Sequence, residues 1–329
     1  MNVLVFTNMY PTAKMPFYGS FVRDEAEALR AAGVNVDVYF VNGRASKFNY
    51  LGMPGGFFSR LRRQQYDIIH VHHSFCGAVA TLQRRVPVIW TFHEGEIVST
   101  ADVARTDASI KRLAYSSGLK RRVADRVTRL IVVADFLRGP LGRDDAITMA
   151  CGIDTGQFAP MDSAAAKQAL GIDPNRRYIL FPSSPDRVEK RYELARDAVA
   201  MLHQRRGDAV ADVELICLDR VPHEQVPMYI NACELMLMTS AFEASPVTIR
   251  EALSCNVPVL CTDIGDVRMV IDGIDGCAII DADPGSIADA LDRALSSARR
   301  IASRDRMQAH SLESTARRLI QIYEEVASG

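Results

Sequence analysis

Residues 238–266 read MTSAFEASPVTIREALSCNVPVLCTDIGD. Just before them, the apolar run Leu235-Met236-Leu237-Met238 has the length of a buried strand and ends at Thr239-Ser240. A loop follows that carries Glu243. Ser245-Pro246 then has the form of an N-cap with proline at the first helical position. Glu251 falls about a turn and a half into that helix at ~3.6 residues per turn. Cys255-Asn256 ends it, with asparagine suited to a left-handed cap. Residues Pro258 to Thr262 form the next buried strand. A strand–loop–helix–strand unit is therefore predicted here.

Such a unit has chemical consequences. The first amides of a helix have no partner within it, so the start of this helix, at Ser245, Pro246, Val247 and Thr248, can receive an anion such as a diphosphate. Glu243 and Glu251 flank that position, and carboxylates, which only accept hydrogen bonds, suit hydroxyl donors. A bare carboxylate repels a diphosphate, so cations must come from another segment. Arg187 and Lys190 stand before a helix expected from about Arg191 to Arg206 and can supply them. Cations are not favoured at a helix start by the helix itself, which argues for a purpose.

The 329 residues suit two domains better than one. Net charge is close to zero but divided. Residues 1–150 hold 20 Lys and Arg against 13 Asp and Glu, and the remainder 19 against 27. A basic first half suits an anionic partner, either an acceptor or an anionic membrane surface, and equally a solvated surface. The seven cysteines are scattered without zinc-like spacing, which points to a reduced, cytoplasmic chain. The first apolar run is too short for a signal peptide, and no run approaches the ~20 apolar residues of a spanning helix. No repeat, low-complexity tract or nucleic-acid motif is present.

The chain opens with the strand Val3 to Phe6, a loop, a helix from about Phe21 to Ala32 ended by Gly33, and a strand from Val34 to Val41, the start of a Rossmann-like half. Gly19, at the helix start, is either a close-approach glycine for a phosphate or turn chemistry. Residues 43–65 become basic and aromatic, and read as a helix packed by Phe57, Phe58 and Leu61 or as a surface segment. The strand from Tyr66 puts His70 and His72 on one face. A metal there needs further ligands, and the sequence offers none at a suitable spacing. Residues Pro87 to His93 form another strand with His93 at its carboxyl end, where open α/β sheets bind ligands. A basic helix from Ser109 to Thr128 carries the apolar stripe Leu119, Val123, Val127 and Leu130.

Glu243 and Glu251, with seven residues between them, together with Pro246, Ala252, Pro258-Val259 and Thr262, resemble the E-x7-E signature of the retaining glycosyltransferase family 4, of the GT-B fold. The resemblance covers nearly the whole chain and is closest to family members that build bacterial cell-surface polysaccharides of the teichuronic acid type. It extends to Gly19-Ser20, to Thr91-Phe92-His93-Glu94-Gly95-Glu96, to Arg187 and Lys190, and to Cys151-Gly-Ile-Asp-Thr-Gly-Gln-Phe-Ala-Pro160. Departures are the residue inserted after His93, Cys151 in place of asparagine, Arg191 in place of glycine, and serine at 183 or 184 in place of glycine.

This resemblance implies an α/β protein of two Rossmann-like domains facing across a cleft. The domains are 1–152, on the acceptor side, and 153–311, binding the nucleotide-sugar. A helix at 312–329 crosses back to the first. It implies transfer of a sugar from a nucleotide-sugar, a UDP-sugar by expectation, to a glycan or lipid-linked acceptor, with the anomeric configuration retained. Arg187 and Lys190 hold the diphosphate with Gly19 and the helix-start amides. Glu243 orients the sugar, Glu251 the ribose, and His93 contacts the sugar near the reacting carbon. Glu94 or Glu96 is a further candidate, and His72 lines the cleft. No metal and no cofactor are expected. The alternatives are a GT-B nucleotide-sugar 2-epimerase, which needs no acceptor, and a non-catalytic nucleotide-sugar-binding protein.

Overall fold

The computed structural model describes residues 1–93, 117–297 and 300–328. The chain divides into two compact units, 1–152 joined by 312–329, and 153–311. Each is built on one parallel sheet.

In the first unit the elements run β1 (Asn2–Thr7), α1 (Ser20–Ala31), β2 (Asn35–Phe40), α2 (Asn49–Arg63), β3 (Ile68–Val71), α3 (Ser74–Ala80), β4 (Val88–Phe92), α4 (Ser117–Ala124), β5 (Arg129–Val132), α5 (Arg138–Leu141) and β6 (Ile147–Thr148). The sheet order is β2-β1-β3-β4-β5-β6. The reversal between β1 and β3 is a topological switch point, where doubly wound sheets bind ligands. Helix α2 forms despite Pro54, with Met53 and Phe57 buried, while Phe48 and Leu51 are exposed. The expected basic helix is described only over α4 and onward. Lys111 and Arg112 lie outside the described residues.

In the second unit α6 (Ser163–Leu170) precedes β7 (Arg177–Phe181), α7 (Tyr192–Arg206), β8 (Val213–Cys217), α8 (Val226–Ala232), β9 (Leu235–Met238), α9 (Val247–Ser254), β10 (Val259–Thr262), α10 (Val267–Ile271), β11 (Ala278–Ile280), α11 (Pro284–Ser297) and α12 (Arg304–Met307). The order β11-β10-β9-β7-β8 places the switch between β7 and β9. Helices cover both faces, so apart from Arg177, Glu214 and Thr262 the strands are apolar rather than alternating. Alternation survives in which core each residue enters. Tyr178 and Leu180 of β7 join Met236 and Met238 of β9 on one face. Ile179 and Phe181 join Leu235 and Leu237 on the other.

The last helix, α13 (Leu312–Ala327), belongs to the first unit. Its residues Ala316, Leu319, Ile322 and Tyr323 are buried with Val22, Ala26 and Leu29 of α1 and with Val3 and Val5 of β1. Its buried residues recur at helical spacing, with Ile320 partly buried at the edge of the cluster.

Candidate functional site

In the second unit, parallel pairing of β7 with β9 brings the loops at their carboxyl ends together. Lys190, in a short 3-10 turn after β7, ion-pairs through Nζ with Glu243 Oε1, in the loop after β9. Ser240 Oγ donates to the same carboxylate at 3.2 Å. Further hydrogen bonds staple the two loops. Thr239 Oγ1 donates to the Lys190 carbonyl at 3.0 Å and to that of Arg191 at 2.9 Å, and the Ala241 amide donates to the Glu189 carbonyl at 2.8 Å. Arg187 is held less firmly: it is half exposed and pairs with Glu189 at 2.6 Å.

Arg191 shows why a glycine suits this turn. Its φ of 53° and ψ of 50° lie in the left-handed region, which costs a side-chain-bearing residue about 1–3 kcal/mol. The guanidinium offsets that cost by donating to the Thr239 and Ser240 carbonyls, each at 2.6 Å.

Helix α9 starts one residue later than the sequence suggests. Pro246 is its N-cap with an extended backbone, and no side chain caps it. The Ser245 hydroxyl has other partners: it donates to Asp266 Oδ2 at 2.8 Å and accepts from Arg250 Nη1 at 2.9 Å. Arg250 and Asp266 are themselves a buried ion pair. Val247 and Thr248 occupy the first helical turn, whose amides lack intrahelical partners. Glu251 is buried, and its Oε1 is 3.2 Å from His223 Nε2. Gly265, at φ 54°, passes so close to the loop that a Cβ would lie 2.4 Å from the Ala244 carbonyl oxygen. Lys190, Glu243 and Ser245 thus gather at the switch point of this sheet, whereas Arg187 points to its own neighbour.

In the first unit Gly19 caps α1 at φ 75°, and a Cβ there would lie 2.4 Å from the Met9 carbonyl carbon. Close packing of the loop on itself therefore demands glycine here, whatever else it serves. His93, just past β4, lies with its ring tilted against that of Phe21, 4.8 Å between ring centroids. Its Nε2 is 3.1 Å from His72 Nδ1, and its Nδ1 is 3.5 Å from Cys151 Sγ. Glu94 and Glu96 lie outside the described residues.

Beyond His72 the network continues to residues that the sequence alone does not join. Glu25 of α1 is buried, with Oε1 3.3 Å from His72 Nε2 and 3.5 Å from His70 Nδ1. His70 is also 2.7 Å from Thr91 Oγ1 through Nε2 and 2.7 Å from the Tyr323 hydroxyl through Nδ1. Burial, followed by His73, holds His93 neutral down to about 3. Burial, followed by His93, does the same for His70, also to about 3. His72 is likewise held well below the ordinary range, by burial first and then by His70 and His93. Burial pushes the Glu25 carboxyl up to about 8. At neutral pH the imidazoles are therefore hydrogen-bonding groups, not cations.

His223, Arg250, Asp266 and Glu25 were not legible as site residues. His223 enters only through its partner Glu251, the visible half of the pair.

Comparison with known proteins follows these two units. Residues 5–146 match the glycosyl transferase 4-like domain, and residues 176–297 match the glycosyl transferases group 1 domain. The D-inositol 3-phosphate glycosyltransferase of Mycobacterium sp. strain JLS is 28% identical over 264 residues, covering 70% of this chain and 59% of that one. The chain thus spans less than two thirds of that relative's length. The enzyme of the same name from Pseudarthrobacter chlorophenolicus is 25% identical over 350 residues, covering 83% of this chain and 80% of its own. Among solved structures, sucrose-phosphate synthase from Thermosynechococcus elongatus superposes with a TM-score of 0.80 at 17% identity, over 100% of both chains. HepE of Anabaena, solved in complex with UDP, gives 0.67 at 15% identity over 99% of this chain and 100% of its own. With both of its units matched and its two parallel sheets arranged in the order described, the chain is of the family 4 type within the GT-B glycosyltransferase fold.

Proposed function

We propose that this protein transfers a sugar from a UDP-sugar to a hydroxyl of a glycan or lipid-linked acceptor, with retention of anomeric configuration and without a divalent metal in the transfer step. The observation that carries the reading is the meeting of Lys190, Glu243 and the start of α9 at the switch point of the second sheet. Support also comes from HepE, whose structures were solved with UDP, with UDP and glucose, and with UDP-glucose.

In this reading Lys190 and the Val247 and Thr248 amides hold the diphosphate, and Arg187 swings from Glu189 to join them. A positioned cation stabilises the charge that develops on the leaving phosphate. The Glu243 carboxylate, kept next to the lysine that offsets its charge, accepts from the sugar hydroxyls. Glu251, fixed by His223, accepts from the ribose hydroxyls. His93, neutral, contacts the transferred sugar, and Gly19 and His72 line the acceptor side. The acceptor oxygen bonds to the anomeric carbon on the face that the diphosphate leaves. The bond from that carbon to the phosphate oxygen breaks, and the hydroxyl proton passes to that oxygen. Retention follows without a covalent enzyme intermediate.

Acceptor chemistry has two leads. Relatives carry the name of an inositol phosphate glycosyltransferase, and the basic first half suits a phosphorylated acceptor or the anionic inner face of the plasma membrane. The test is a transfer assay with a panel of UDP-sugars and acceptors, with product stereochemistry read by NMR. An α-linked product from an α-configured donor supports the reading. An inverted product, or turnover that needs added manganese, contradicts it.

A further inference from the structure

We propose that Glu25, His70 and His72 form a resident binding site for a divalent transition-metal ion of the zinc class, within the first unit and separate from the diphosphate chemistry. Among the described residues, these three form the one set of histidine, cysteine and carboxylate side chains whose ligating atoms converge, all within 4.8 Å of one another. All three are buried.

The distances favour a shared ion over a hydrogen bond. Glu25 Oε1 lies 3.3 Å from His72 Nε2 and 3.5 Å from His70 Nδ1. Zinc bound to nitrogen and oxygen at about 2.0–2.1 Å in a tetrahedron separates its ligands by about 3.3–3.4 Å. A donor and an acceptor at 3.3 Å could instead be bonded to each other, but neither Glu25 Oε1 nor His72 Nε2 makes a hydrogen bond. Two buried polar atoms face one another without bonding, which is costly unless something between them is bound.

The surroundings fit ligation as well. His70 lies in β3 and His72 just past its end, two residues on, and their ring centroids are 4.2 Å apart on one face. Glu25 comes down on that face from α1. Each ring has its second nitrogen engaged: His70 Nε2 with Thr91 Oγ1 at 2.7 Å, and His72 Nδ1 with His93 Nε2 at 3.1 Å. In that tautomer each imidazole donates outward and turns its lone pair toward Glu25, the outer-shell arrangement usual for metal-bound histidine. Two imidazoles and one carboxylate form an established zinc ligand set that leaves a fourth position open. The Tyr323 hydroxyl, 2.7 Å from His70 Nδ1, either fills that position or gives up its hydrogen bond when the ion binds.

The ion would have two effects. It ties α1 to β3 across the core beneath α13. It also fixes the proton on His72 Nδ1, so that His93 Nε2 accepts and His93 carries its own proton on Nδ1. The metal would thereby set the tautomer that His93 presents.

Metal analysis of the 329-residue chain tests the site. Protein purified without a metal-affinity tag, from zinc-supplemented cells, is expected to hold one zinc per chain after exhaustive dialysis. Replacement by cobalt should give the visible absorption of a tetrahedral ion without a thiolate-to-cobalt band, which separates this site from adventitious binding by the seven cysteines. Glu25→Gln keeps the shape of the side chain and should weaken zinc binding by more than about a hundredfold, since even outer-shell changes cost 10–100-fold. Wild-type protein that takes up no zinc or cobalt overturns the proposal without any variant having to fold. Zinc retained at full stoichiometry by a folded Glu25→Gln, or a cobalt spectrum dominated by thiolate, overturns it too.

Discussion

Lys190 Nζ and Glu243 Oε1 form an ion pair although they arise from different strands, β7 and β9, whose carboxyl ends lie side by side. The pair sits at the reversal in strand order, and the lysine is shared between a carboxylate fixed by the fold and, in the proposed reaction, a diphosphate. Replacing either partner removes a charge-assisted interaction, which carries about 1.5–3 kcal/mol, or roughly 10–100-fold in rate. Lys190→Ala and Glu243→Gln should each lower kcat/KM by that factor. Because the two groups touch, the double variant should lose less than the product of the single losses. Steady-state assays of the four proteins check this, and a fully multiplicative loss would mean that the pair does not act as a unit.

Arg191→Gly sets two effects against each other. Glycine relieves a left-handed φ of 53°, regaining about 1–2 kcal/mol. It also removes two charged hydrogen bonds to the Thr239 and Ser240 carbonyls, each about 1.5–3 kcal/mol when made by an ionised donor. The bonds outweigh the strain, and the variant should be less stable by about 1–5 kcal/mol in urea unfolding. A variant more stable than wild type would reverse that ranking.

Asp266→Asn should be among the most damaging changes in the second unit. It leaves the Arg250 guanidinium, 2% exposed, without its carboxylate. Breaking a buried pair from one side costs about 3–5 kcal/mol. Ser245→Ala removes only a hydroxyl from the same network and should cost about 1 kcal/mol. Chemical denaturation of both variants separates the two.

Gly19→Ala tests the opening loop. The added methyl meets the Met9 backbone at 2.4 Å, and the backbone there is left-handed. Displacement of the loop, with a loss of about 1–3 kcal/mol, is expected. Wild-type stability would show that the loop yields without cost.

Much of the fold was legible because buried parallel strands are short apolar runs and their helices begin and end with recognisable residues. Asn256, for example, takes the left-handed φ of 58° expected at the end of α9. The candidate site was legible only where chemistry and spacing coincide within one segment. Glu243 and Glu251 share a segment; His223 reaches Glu251 from another strand's loop, and no local pattern announces it. Glu25 looks like one more acidic residue on a surface helix until α1 is laid on the sheet. Ser245 reads as a cap, yet its hydroxyl is drawn away by Asp266 and Arg250, an interaction that exists only once β10 and α9 have folded together.

The most direct test of donor binding at Lys190 is the thermal midpoint of the 329-residue chain against UDP, UDP-sugars and other nucleoside diphosphates. A ligand that binds the native state raises stability by RT ln(1 + [L]/Kd), about 2.7 kcal/mol at a hundredfold excess over Kd. A rise is expected with UDP and at least one UDP-sugar in the wild type, and a smaller rise at the same concentration in Lys190→Ala. A midpoint unmoved by any nucleotide, or moved equally in wild type and Lys190→Ala, would contradict such binding.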